Sequence, residues 1–83
     1  MTEAEKDVIR AQAACRAIID RRNIPADHCK ILVTAEHAIT ALLLALYNGD
    51  TQMAECMFNE GLVPGVESRL RDYASKQAQA KRH

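Results

Sequence analysis

The stretch whose reading decides the fold is residues 27–49, DHCKILVTAEHAITALLLALYNG. On a helical wheel Ile31, Leu32, Ala35, Ala38, Ile39, Leu42, Ala45 and Leu46 fall on one continuous face, the spacing of an amphipathic helix with its apolar side turned to a core. Ile31, Leu32, Val33 and Thr34 would also suit a strand, so local propensity alone leaves 29–34 open between a strand and a helix start. The apolar pattern then runs far beyond strand length, and this favours a helix over about 27–47, ended by Asn48-Gly49. The opposite side is polar at Lys30, Thr34, Glu36, His37 and Thr40 but apolar at Ala41, Leu43, Leu44 and Tyr47. A helix apolar all round its C-terminal half has to be enclosed on every side. The expectation is that Leu43, Leu44 and Tyr47 meet a second subunit or another protein, with Thr34 and His37 in a polar rim beside them.

Outward from this helix, Thr2 followed by Glu5 has the pattern of a capping box and predicts a first helix over about 2–22. Its stripe Ala4, Val8, Ala11, Cys15 and Ile18 has heptad spacing, although the alanines make it a weak zipper. Asn23 is suited to the left-handed position at its end, and Pro25 cannot continue it. Asp27 is a candidate cap for the second helix. After Gly49, Asp50 or Thr51 caps a third helix over about 51–60 with Met53, Ala54, Met57 and Phe58 at helical spacing, stopped by Gly61, with Leu62 folding back on Met57. Pro64 suits the first turn of a fourth helix over about 64–78, striped by Val66, Leu70 and Tyr73, after which residues 75–83 offer little to bury and fray. The fold class is therefore all-α: one domain of three or four helices over residues 1–83, a central apolar helix flanked by the first and fourth, and a homodimeric helical bundle.

Composition narrows function more by exclusion than by indication. Eleven basic and eleven acidic residues give a formal net charge of zero, so no global field draws the chain to nucleic acid or an anionic membrane. Locally, 49–62 carries only acidic charge and 63–83 is mainly basic. Cys15, Cys29 and Cys56 are an odd set without CxxC spacing, which fits free thiols in a reducing compartment. The opening Met1-Thr2-Glu3-Ala4-Glu5-Lys6 lacks the pattern of a signal peptide, and Thr34, Glu36, His37 and Thr40 interrupt the apolar run before a membrane-spanning length. A soluble, cytoplasmic protein is expected.

Asp27, His28, Cys29, Glu36, His37 and Cys56 include the common metal ligands, but Cys29 and His37 are about 12 Å apart along a helix and no HExxH or CxxC pair exists. No phosphate-cradling glycine loop and no oriented nucleophile–base pair stands out. No metal, no cofactor and no catalysis are expected. The reading is a small interaction module that docks on a larger protein as adaptor, inhibitor or regulator. The rival is a DNA-binding regulator with a helix-turn-helix at 51–78, reading with 64–73 and placing Arg69, Arg71, Lys76, Lys81 and Arg82 on phosphates. Neutral total charge and the acidic third helix weigh against it.

Overall fold

The computed structural model describes residues 1–81, and every regular element in them is helical. The chain divides into two units, residues 1–41 and residues from 42 onward.

In the first unit, the Thr2 hydroxyl accepts the Glu5 N–H at 3.2 Å and starts α1, Glu3–Ile19. Glu3 and Glu5 in the first turn suit the positive end of the helix dipole. Exposed pairs Lys6–Glu3 and Arg10–Asp7 lie along its surface at 3.2 and 3.0 Å. The helix ends at Ile19, three residues before the expected Arg22, because Asp20 and Arg21 take the left-handed conformation (φ 47° and 61°) in place of Asn23. Arg22 explains the early stop. Its guanidinium donates to the Ile18 and Ile19 carbonyls, the latter at 3.1 Å, placing a cation on the orphan acceptors of the helix end, and also to the Thr34 hydroxyl at 3.1 Å. The Thr34 hydroxyl in turn donates a hydrogen bond to the Lys30 carbonyl at 3.1 Å.

The turn that follows is held by short polar side chains. The Asn23 side-chain oxygen accepts from the Ala26 N–H at 2.9 Å, and the Asp27 carboxylate accepts from the Asn23 N–H at 3.1 Å. Asp27, read as a cap or first-turn residue of the second helix, directly precedes it: its main-chain oxygen accepts from the Ile31 N–H at 2.9 Å, while its carboxylate turns back to the Asn23 N–H. Helix α2 runs His28–Leu46, so residues 29–34 are helical. It begins in the first unit and ends in the second.

In the second unit, Asn48 (φ 54°) and Gly49 (φ 81°) terminate α2, with the Gly49 N–H reaching the Leu44 carbonyl at 2.8 Å in a Schellman-type close. Asp50 then caps α3, Thr51–Met57, through the Met53 N–H at 3.1 Å. The expected stop at Gly61 does not occur. Residues 58–62 form a π-turn, and α4, Val63–Ala80, follows directly with right-handed helical backbone at both junctions. The Val63 N–H reaches five residues back to the Phe58 carbonyl. Pro64 accounts for the widening: it offers no N–H, and its ring would strike the carbonyl four residues earlier in a regular helix, so opening the preceding turn makes room. Gly61 stays helical, and a Cβ there would lie 3.4 Å from the Met57 terminal methyl. Helix α4 continues to Ala80, two residues past the expected end near 78; Arg82 and His83 of the expected frayed tail lie outside the described residues.

Burial is where expectation and structure part most clearly. Among the described residues Ala54 alone is buried, at 7% exposure. On α1 the stripe positions Ala4, Val8, Ala11 and Cys15 are exposed and only Ile18 is half-buried; on α2 the intended core face is half-covered at Ile31, Ala35 and Ile39 and open at Leu32, Ala38, Leu42, Ala45 and Leu46. Among the described residues the chain is all-helical.

Two substitutions test the local account. Gly49→Ala puts a side chain at positive φ, and Asp50→Ala removes a helix cap; each is expected to lower unfolding free energy by about 1 kcal/mol in urea titrations followed by circular dichroism at one protein concentration.

Candidate functional site

The residues expected at an interface do not form one patch. Thr34 is half-buried and engaged by Arg22, which makes it an internal fastener of the first unit. His37 is exposed. Leu43, Leu44 and Tyr47, expected to be the open side of α2, are half-buried, as are Met57, Leu62 and Val63 in the same unit. The openness falls on the other face, at Leu42 (53%) and Leu46 (62%), where the core was expected. Periodicity identifies both faces as apolar but does not say which one the chain covers.

A second open apolar surface runs along α4. Val66, Leu70 (62% exposed) and Tyr73 (64%) repeat at spacings of four and three and stand uncovered on one side of the helix. The sequence marks this stripe, whose openness is the new information.

The nucleic-acid residues are separated by the same helix. Arg69 and Lys76, seven residues apart, share a side of α4, whereas Arg71 is two residues from Arg69 and projects away from it. Arg71 pairs with Glu67 at 3.6 Å, and the Lys76 ammonium lies 5.4 Å from the Tyr73 ring centroid, a cation–π contact. A helix-turn-helix needs a turn between two crossing helices. Residues 51–80 are helical throughout, with a π-turn where that turn was expected. The bihelical reading loses its geometric basis. Lys81 lies just past the end of α4, and Arg82 lies outside the described residues.

No group of three or more His, Cys, Asp or Glu side chains among the described residues is placed to hold a metal ion. Cys15, Cys29 and Cys56 are free and exposed. Cys56 donates to the Glu60 carboxylate at 3.3 Å, and that hydrogen bond, with the repulsion between thiolate and carboxylate, raises the thiol above its ordinary range. This is the reverse of what an activated nucleophile needs. A shallow depression of about 420 Å³ at the end of α1 is lined by Arg16, Ala17, Ile19, Asp20 and Arg21 and contains no nucleophile–base pair.

Helix α2 also bears on the membrane question. Its 19 residues, with mean hydropathy 1.7, are long and apolar enough to cross a bilayer by length and composition, which overturns the expectation that the polar interruptions leave it too short. Within it lie Lys30, Glu36 and His37. An ionised acidic side chain at mid-helix costs about 3 kcal/mol to insert.

No protein-family model, curated protein or solved structure matches the chain.

The thiol geometry gives a direct check. Because Cys56 ionises only at higher pH than an ordinary cysteine, its alkylation by iodoacetamide near pH 8 is expected to lag behind Cys15 and Cys29. Glu60→Gln removes the charge and should close most of that gap, as read by peptide mass spectrometry. Equal rates in the unsubstituted chain would contradict the pairing.

Proposed function

We propose that this chain is a non-catalytic protein-interaction module, soluble and cytoplasmic, which acts as a homodimer and docks on a larger protein as adaptor, inhibitor or regulator. One observation carries the reading: a chain with 48% hydrophobic residues buries a single described residue, Ala54. Apolar side chains at regular helical spacing that find no cover in their own chain are a surface for another chain. Three exposed free thiols agree with a reducing compartment. The cost of inserting Glu36 and Lys30 favours water over lipid around α2.

The α4 stripe is the docking surface in this reading. It is an i, i+4, i+7 array of Val66, Leu70 and Tyr73, the anchor pattern by which an amphipathic helix enters a groove. Tyr73 is the natural hot-spot residue, being large, rigid and amphipathic.

The test is capture of a partner at near-stoichiometric yield by the tagged chain, compared with a chain carrying Val66→Ser, Leu70→Ser and Tyr73→Ser. The exposed positions predict unchanged helical circular dichroism and loss of the partner. Equal capture by both chains would remove α4 as the docking surface.

A further inference from the structure

The pair that closes α2, Asn48 and Gly49, also carries a reactive arrangement of atoms. The side-chain amide carbon of an asparagine lies within reach of the next residue's nitrogen, and joining the two closes a five-membered ring. A glycine in that next position has no Cβ to obstruct the approach. The space around Gly49 is open, with nothing within 4 Å of where a Cβ would sit. Both residues are exposed, so water and base reach them. The other two asparagines lack this combination. Ile24 and Glu60 follow them, and their side-chain amides are engaged, Asn23 with the Ala26 N–H at 2.9 Å and Asn59 with the Glu55 carbonyl at 3.0 Å.

Two features hold the reaction back while the joint is closed. The Gly49 N–H donates to the Leu44 carbonyl at 2.8 Å, and an amide so bonded has to open before base can take its proton. Asn48 also sits in the left-handed conformation at φ 54°. The ring that would form fixes the torsion about the Asn48 Cα–C bond at a value this conformation does not have. Both restraints lie in the closing turn of the helix, the part that opens at least cost.

We infer that Asn48 is a site of spontaneous modification whose rate is set by the bond from Gly49 to Leu44. When that bond opens, the Gly49 nitrogen loses its proton to solvent base and attacks the Asn48 Cγ. The bond from Cγ to the side-chain nitrogen breaks, ammonia leaves, and a succinimide remains. Water then adds at either of its two carbonyls, giving aspartate or isoaspartate. One water is consumed, one ammonia is released, and no electrons are transferred. Isoaspartate carries the main chain through the side-chain carbon and lengthens it by one methylene, so the Gly49 N–H loses its register with the Leu44 carbonyl. The product therefore cannot restore the closure of α2. It also adds a negative charge beside Asp50.

The experiment compares two rates in the full chain. Peptide mass spectrometry follows aspartate and isoaspartate at position 48 at neutral pH, in buffer and in urea. Hydrogen exchange at the Gly49 amide is followed under the same two conditions. Asn48 should be modified ahead of Asn23 and Asn59, with isoaspartate in excess over aspartate. The rate in buffer should fall about tenfold to a hundredfold below that in urea, and exchange at Gly49 should be slowed by the same factor. Asp50→Ala, which loosens the junction beside the bond, should narrow the gap between buffer and urea about fivefold. Gly49→Ala should slow the reaction in urea, where folding plays no part, because a Cβ crowds the attack.

Equal rates in buffer and urea would overturn the inference, as would earlier modification of Asn23 or Asn59. So would a chain in buffer that shows no product over about a hundred half-times of the unfolded reaction. Slowed exchange at Gly49 without matching protection of Asn48 would refute the bond as the controlling step. Should Asp50→Ala fail to fold, the match between exchange and modification in the unsubstituted chain decides the matter.

Discussion

Exposed apolar surface is the constraint on which the rest of the account depends. Water drives apolar side chains together at roughly 25 cal/mol per Å², and a chain of 83 residues has little stability to spare. Here the caps and turns are well formed, yet the stripes on α1, α2 and α4 remain largely uncovered. Local hydrogen bonds delimit the helices; they do not supply the burial that makes helices of this length persist in water. In the proposed function that burial comes from another chain, and this is how the fold connects to it.

The same constraint explains which contacts matter within each unit. Arg22 joins the end of α1 to Thr34 on α2 through one guanidinium, fastening a turn in a unit where no side chain is buried. In the second unit Asn48, Gly49 and Asp50 turn the chain within three residues and bring one helix end directly to the next helix start. Both joints are held by local hydrogen bonds, and the apolar faces beside them are what the proposed function assigns to another chain.

Much of this architecture was legible in the residues themselves. The length of the apolar pattern identified α2 as a helix despite its β-branched start, and Asn48-Gly49 and Asp50 marked the junction that follows. The end of α1 was not legible, because Asp20 and Arg21 adopt left-handed backbone without glycine to announce it, and Arg22 reaches carbonyls that no sequence pattern assigns. Gly61-Leu62-Val63-Pro64 read as a stop and restart, but proline is also tolerated after a widened turn, and sequence alone does not separate the two outcomes. That ambiguity created the helix-turn-helix alternative. On α2, alternation located two apolar faces, but the choice of the exposed one depends on tertiary cover, which spacing does not encode. The open stripe of α4 was legible as a stripe, though not as an uncovered one.

The central claim is that burial between chains stabilises these helices, and thermal unfolding at several protein concentrations tests it most directly. An association-dependent fold requires Tm to rise steadily from about 1 to 100 μM, by mass action. A Tm that stays constant over that range, with a cooperative transition, would show that one chain supplies its own stability and would contradict the account.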